Sequence, residues 1–166
     1  MYSFFWKAND EILQAIKNKD KDLLKKILNK EPDKVYFTNH YGNLIHNAII
    51  EGCDEDIISI LIVAGADVNA INEEQATPIH YAIDSKKINI VRLLLDNKAE
   101  IDAQDEELVT PLHNAVIMHD YDTVKLLLEK GANPKIKEYD GYMPIDIARA
   151  LNYDKIIELF NKYDSN

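Results

Sequence analysis

Apolar side chains recur along the chain in clusters at a nearly constant interval. Three clusters share one pattern, a branched residue followed by a run rich in leucine or isoleucine: Ile58-Ser-Ile-Leu-Ile62, Val91-Arg-Leu-Leu-Leu95 and Val124-Lys-Leu-Leu-Leu128. This pattern is typical of amphipathic helices whose apolar stripe faces neighbouring helices. An alanine precedes the clusters at positions 15, 48, 82, 115 and 148, at intervals of 33, 34, 33 and 33. The pattern predicts a chain built from repeated helical units.

Two further motifs keep the same phase as the alanines. Before the alanine stand Asn43-Leu-Ile-His46, Thr77-Pro-Ile-His80, Thr110-Pro-Leu-His113 and Met143-Pro-Ile-Asp146. After the leucine-rich run stand Gly65-Ala-Asp-Val-Asn69, Lys98-Ala-Glu-Ile-Asp102 and Gly131-Ala-Asn-Pro134. Threonine can cap the start of a helix through its side-chain oxygen. Proline is tolerated as the first helical residue, because the N–H group of that residue has no partner within the helix. Glycine suits the left-handed backbone that ends a helix, so Lys98 in this place predicts a small cost in stability.

These motifs resemble the ankyrin repeat, whose signature combines Thr-Pro-Leu-His-x-Ala, Val-x-x-Leu-Leu and Gly-Ala. The resemblance covers residues 10–163 and implies an all-α fold, a solenoid of stacked helix-turn-helix units with β-turn or hairpin loops. One domain, residues 1–166, is expected to hold five repeats, with approximate bounds 10–37, 38–70, 71–103, 104–136 and 137–163. The two terminal repeats depart from the motif and are expected to act as caps. The extra residue of the second repeat falls between Glu51 and Asp56, in the expected turn between its helices.

Charge and composition narrow the class of partner. The chain has 19 basic and 29 acidic residues and a net charge of −10. Such a surface repels nucleic acid and anionic membranes and favours a basic partner. The single cysteine, Cys53, excludes an intrachain disulfide, and no apolar run is long enough to span a bilayer. We therefore expect a cytoplasmic monomer, in its own cell or in the cytosol of a host, that binds a protein and neither nucleic acid nor a membrane.

The candidate catalytic and metal-binding residues favour structural roles. His46, His80 and His113 recur at repeat spacing, but equivalent residues of stacked repeats lie about 8–10 Å apart, too far to share one metal ion. The ankyrin resemblance implies that this histidine bonds to the backbone of the neighbouring repeat. Cys53 lies in an acidic turn that is expected to raise its thiol pKa, and no serine fits a nucleophile motif. We expect no catalysis, no cofactor and no metal.

The residues between the motifs point to a binding face. The resemblance implies that the loop tips and the exposed side of each first helix line a concave surface. The tips are Asn39-His40-Tyr41, Asn72-Glu73-Glu74, Asp105-Glu106-Glu107 and Glu138-Tyr139-Asp140. An acidic ridge would steer a basic partner, and apolar side chains would supply the buried contacts. The predicted partner-binding residues are Tyr41, Ile50, Glu73, Glu74, Asp84, Asp105, Glu106, Ile117, Met118 and Tyr139.

The expected function is a non-catalytic protein–protein interaction module, such as an adaptor, inhibitor, effector or immunity-type protein. Three alternatives stay open: acidic tips that only maintain solubility, a carrier or regulator of a small ligand, and a self-assembling scaffold. Phe4, Phe5 and Trp6 are expected to cover the first repeat or, alternatively, to anchor a partner or a second copy of the chain. Asn69 lies in a turn that resembles the ankyrin sequence modified by an asparaginyl hydroxylase. It is a possible hydroxylation site, although ordinary repeats carry the same turn for structural reasons.

Overall fold

The helices follow one another in pairs along the chain. A computed structural model describes residues 11–164, so the predicted roles of Phe4, Phe5 and Trp6 lie outside the described residues. The helices are α1 (residues 11–17), α2 (Lys21–Lys30), α3 (Leu44–Ile50), α4 (Glu55–Val63), α5 (Pro78–Asp84), α6 (Ile88–Asp96), α7 (Pro111–Ile117), α8 (Tyr121–Glu129), α9 (Pro144–Ala150) and α10 (Asp154–Asp164). A 3₁₀ helix (Pro32–Tyr36) and a short antiparallel hairpin, β1 (Thr38–Asn39) with β2 (Gly42–Asn43), link α2 to α3.

The pairs stack side by side in two layers. The first helices of the pairs, here called inner helices, pack in series, α3 on α5, α5 on α7 and α7 on α9. The second helices, here called outer helices, pack in the same order from α2 to α10. Each element therefore contacts its own partner and its neighbours in the stack, as in a solenoid. The predicted all-α repeat solenoid is confirmed.

The motif residues form the start of each inner helix. Thr77 and Thr110 precede α5 and α7 as N-caps, and the proline after each is the first helical residue. Asn43 takes the same place before α3, where its side-chain oxygen accepts from the N–H groups of Ile45 (3.0 Å) and His46 (3.3 Å). The short side chain therefore satisfies donors that the helix leaves unpaired.

Small residues lie at the centre of the stack. The alanines that define the repeat are completely buried, and the largest buried side chains around them are leucines and isoleucines. A methyl side chain lets neighbouring helices approach closely, while the branched side chains fill the space between layers. The fully buried alanines are Ala15, Ala48, Ala82, Ala115 and Ala148.

The loops show how the spacing of the second repeat is maintained. Four residues, 51–54, separate α3 from α4, whereas three residues separate the helices of the next pairs. The extra residue thus lies in the predicted turn. Gly65, Lys98 and Gly131 all have positive φ angles, of 102°, 69° and 92°, at the ends of the outer helices. Lys98 therefore holds a backbone conformation that favours glycine, at a cost of about 1 kcal/mol.

Candidate partner-binding face

The tips that precede the inner helices are connected to one another by backbone hydrogen bonds. The Glu106 N–H donates to the Glu74 carbonyl (3.0 Å), and the Tyr139 N–H donates to the Glu107 carbonyl (2.9 Å). These bonds join the tips before α5, α7 and α9 into one continuous edge. The tip before α3 is a two-residue hairpin turn, His40-Tyr41, and it is one residue shorter than the others.

The first polar residue of each tip fixes the loop with its own side chain. Asn72 Oδ1 accepts from the N–H groups of Glu74 (3.0 Å) and Ala76 (2.9 Å). Asp105 Oδ1 accepts from residues 107 and 109 in the same way, both at 2.9 Å. Glu138 accepts at 2.8 Å from residues 140 and 142, and these bonds hold the pKa of its carboxyl below the ordinary value. The tip backbone is therefore set by local hydrogen bonds.

Inner-helix side chains extend the surface away from the tips. Asn39 Nδ2 donates to Asn47 Oδ1 (3.0 Å), and Asn72 Nδ2 donates to the Tyr81 hydroxyl (2.9 Å). Asn47, Tyr81, Asn114 and Ile147 are equivalent residues, each just before the buried alanine. Sequence reasoning missed this row, although it lies one helical turn before a second row, Ile50, Asp84, Ile117 and Ala150, whose first three residues it did identify. The tips (39–41, 72–75, 105–108 and 138–141) and these two rows are called the tip face below.

Exposed apolar side chains are concentrated near the tip face. Among the described residues, eleven large apolar side chains are exposed, and eight of them lie at the tips, beside them or at the ends of inner helices. Ile50 and Ile117 keep nearly half of their surface accessible, 45% and 47%, and Tyr139 keeps 79%. The remaining five of the eight are Tyr41, Ile71, Leu108, Tyr142 and Leu151.

Acidic residues outnumber basic ones around the first three tips and their inner helices. Residues 38–124 contain sixteen acidic and four basic residues, a net charge of −12, and the four basic ones lie on turns or outer helices. On the outer side, carboxylates pair with lysines of the next repeat, as Asp96 does with Lys130 (2.7 Å). Within the described residues, none of the predicted acidic partner-binding residues forms an ion pair. Those residues are Glu73, Glu74, Asp84, Asp105 and Glu106.

Two groups in the middle of the face show the effect of this charge. Burial, and then the negative charge of Asp105, raise the pKa of the Asp84 carboxyl above the ordinary value. Burial, and then the Glu74 carboxylate, raise the pKa of the Tyr81 hydroxyl. Asp84 accepts a hydrogen bond from Asn114 Nδ2 (3.2 Å), which links two repeats across the face. In both groups a neighbouring carboxylate adds to the effect of burial, which indicates negative potential over this part of the face.

Comparison with known protein families gives the same assignment as the fold. The model for ankyrin repeats in three copies matches residues 12–105 and 45–138, which together cover most of the chain. The chain belongs to the ankyrin-repeat family. No curated protein sequence matches it significantly. Ankyrin repeats generally act as protein–protein interaction modules, and the family is typically non-catalytic.

The repeated histidines of this ankyrin chain connect adjacent repeats. Nε2 of His46, His80 and His113 lies 3.1, 3.2 and 3.1 Å from carbonyl oxygens of the following repeat. Because a carbonyl only accepts, Nε2 carries the proton, and Nδ1 accepts from the N–H of the N-cap residue at 3.2 Å. Burial lowers the pKa of all three rings, that of His46 to about 4. The expected backbone role is confirmed, and no group of three metal-ligating side chains occurs among the described residues.

Cys53 is buried inside the ankyrin stack. Its thiol donates to the Ile16 carbonyl (3.3 Å). Burial is the main cause of its raised pKa; nearby carboxylates add to the effect, while Lys19 and Lys87 oppose it. The predicted direction is right, but the acidic turn is only a minor cause. A buried thiol with a raised pKa is a poor nucleophile.

Two predicted residues have structural contacts of their own. Met118 follows α7 as its C-cap and is half-buried against the ankyrin core, so it exposes less surface than Ile117. Asn69 joins two loops, since its Nδ2 donates to the Lys98 carbonyl (3.1 Å) and its Oδ1 accepts from the Glu100 N–H (2.8 Å). These bonds support the structural reason for this turn, and hydroxylation of Asn69 stays a prediction. No helix in the described part of the chain is long and apolar enough to cross a membrane.

Proposed function

We propose that this ankyrin-repeat protein binds a protein with a basic surface through its tip face and acts by occupying that surface. The observation that carries the proposal is the coincidence, on one face, of unpaired carboxylates and exposed apolar side chains. A soluble surface needs the first but gains nothing from the second. Adaptors, inhibitors, effectors and immunity-type proteins all work by such occupancy.

The two kinds of side chain have separate tasks in the proposed complex. Glu73, Glu74, Asp84, Asp105 and Glu106 attract the basic surface and accelerate the encounter, by about tenfold or more at low salt. The apolar and aromatic side chains then lose water and set the lifetime of the complex. These are Tyr41, Ile50, Ile117, Met118 and Tyr139.

The contrast between the two sides of the stack supports the choice of face. Outer-side carboxylates such as Asp54 and Asp56 form ion pairs with Lys21 of the preceding repeat, at 3.0 Å for Asp54. Within the described residues, the five predicted acidic residues of the tip face form no ion pair. Their field therefore extends into the solvent, and a basic partner would supply the missing charge.

Affinity capture tests this proposal. Wild-type protein and a Glu74→Lys/Glu106→Lys/Tyr139→Ala variant serve as baits in lysate of the source cell at low and moderate salt. We expect a basic protein to bind the wild type, to be lost with the variant and to be weakened by salt. Capture of the same protein by both baits would rule out the tip face.

A matched variant controls for the change in charge. Asp122→Lys/Glu158→Lys/Tyr121→Ala alters the outer helices α8 and α10, and all three residues are exposed. It changes the net charge by the same amount and also removes one aromatic ring. It should retain the partner. If it loses the partner equally, the net charge of the protein, and not the tip face, determines binding.

A further inference from the structure

The row of inner-helix residues one turn beyond Asn47, Tyr81 and Asn114 alternates in chemistry. It consists of Ile50 on α3, Asp84 on α5 and Ile117 on α7, at or near the helix ends. These helices pack against each other in this order, so Asp84 lies between the two isoleucines. Each isoleucine keeps nearly half of its surface accessible. The row therefore presents an apolar, an acidic and an apolar group in succession.

Asp84 has a partner for hydrogen bonding but none for its charge. Among the described residues, its side chain accepts one hydrogen bond, from Asn114 Nδ2 (3.2 Å), a neutral donor, and the charge that acts on it is the negative one of Asp105. No basic residue forms an ion pair with it among the described residues. A carboxylate without an ion pair gains more from an incoming cation than one that is already paired.

We infer that this row binds one amphipathic helix of the partner, which places a lysine or arginine on Asp84 between two apolar side chains on Ile50 and Ile117. The inference rests on the proposed function and specifies the segment that is recognised. Packed helices lie about 8–10 Å apart, and residues seven apart on a helix are separated by about 10.5 Å. The matching pattern is thus an apolar residue, a basic residue and an apolar residue at intervals of seven.

The backbone of the row favours a helical occupant over an extended one. The three residues end three separate helices, so their backbone groups do not form the continuous edge of a strand. An extended segment would find no ladder of free backbone groups there. A helix satisfies its own backbone and needs only side-chain contacts from the surface.

A displayed library of helical peptides, randomised along one face, tests the pattern. Wild-type protein should enrich a basic residue with apolar residues seven positions before and after it. Asp84→Lys should enrich an acidic residue at the same central position. Asp122→Lys, which makes the same charge change on an outer helix, should select as the wild type does.

One enriched peptide then gives the magnitude. Its affinity, measured by calorimetry, should fall about tenfold or more in Asp84→Asn, whose amide keeps the shape of the side chain. Failure to enrich a pattern, a three-residue spacing typical of an extended chain, or the same selection by Asp84→Lys would each overturn the inference. The proposed function would survive these results if the capture experiment still recovers a basic protein through the tips, so the two failures are distinguishable.

Discussion

Acidification should destabilise this protein through the histidines that join its repeats. The ring of His46 is buried, donates through Nε2 to the Ala76 carbonyl and accepts through Nδ1 from the Asn43 N–H. Burial is the main reason that the ring resists a second proton, because the charge of the imidazolium would lose its hydration. The folded protein therefore resists protonation of His46, whereas the unfolded chain accepts the proton near its ordinary pKa.

The size of this effect follows from the pKa shift of His46. Its pKa falls from 6.5 to about 4 in the folded protein, and each unit corresponds to about 1.4 kcal/mol. The unfolded state binds the extra proton below pH 6.5, so the free energy of unfolding decreases as the pH drops from 6.5 to 4. Below pH 4 both states are protonated, and the loss is complete. The ring alone accounts for a loss of about 2 kcal/mol at pH 5, and His80 and His113 act in the same direction.

Urea unfolding followed by circular dichroism at pH 7 and pH 5 measures the change. Asp84 acts in the opposite direction, because its raised pKa adds stability as pH falls through it. The comparison is therefore made between the wild type and His46→Gln, which lacks the titrating ring. The pH-dependent loss should be smaller in the variant by about 2 kcal/mol. Equal losses in the two proteins would refute the reasoning, and NMR titration of the His46 ring would locate the error.

Three further substitutions give independent checks. Gln75 is exposed and has a φ of 57°, so Gln75→Gly should raise the free energy of unfolding by roughly 1 kcal/mol. A lower free energy of unfolding in urea would show that the backbone of Gln75 is not strained. A Cβ on Gly42 would lie 2.5 Å from His46 Nδ1, so Gly42→Ala should lower the free energy of unfolding by about 2 kcal/mol or more in the same assay. An unchanged midpoint of urea unfolding would argue against this close contact. Ile117→Ser should weaken capture of the partner without lowering the melting temperature, whereas Tyr121→Ser on the outer side should not, and equal effects would exclude a specific apolar contact.

The fold could be predicted because the repeated motif fixes both ends of each helix. Thr77 and Pro78 start α5 as its N-cap and first residue. The spacing of the buried alanines then fixes where the other helices and loops of each repeat begin. These effects act over a few residues and therefore can be derived from the sequence. The insertion in the second repeat was also predictable, because the spacing of the buried alanines on both sides reveals it.

The composition of the candidate site could be predicted only in part. The acidic tips and the row with Asp84 follow from the motif phase, but the contacts of Tyr81 and Asn114 depend on side chains from other loops and repeats. Cys53 shows the same limit, since its sequence neighbours are acidic while burial dominates its pKa and Lys19 and Lys87 oppose the acidic effect. The neighbours of a residue in the sequence therefore do not show which charges surround it in the folded protein.

The hydrogen bonds between the tips also affect the entropy of binding. Glu106 and Tyr139 donate to the tips of the preceding repeats, so three tips already share one fixed backbone arrangement. A partner that touches all three does not have to order them separately, and each loop left mobile would otherwise reduce the affinity. Contacts along this edge should therefore be cooperative, because the first contact leaves little further entropy to be lost by the next. Weak individual interactions could then add up to a specific complex.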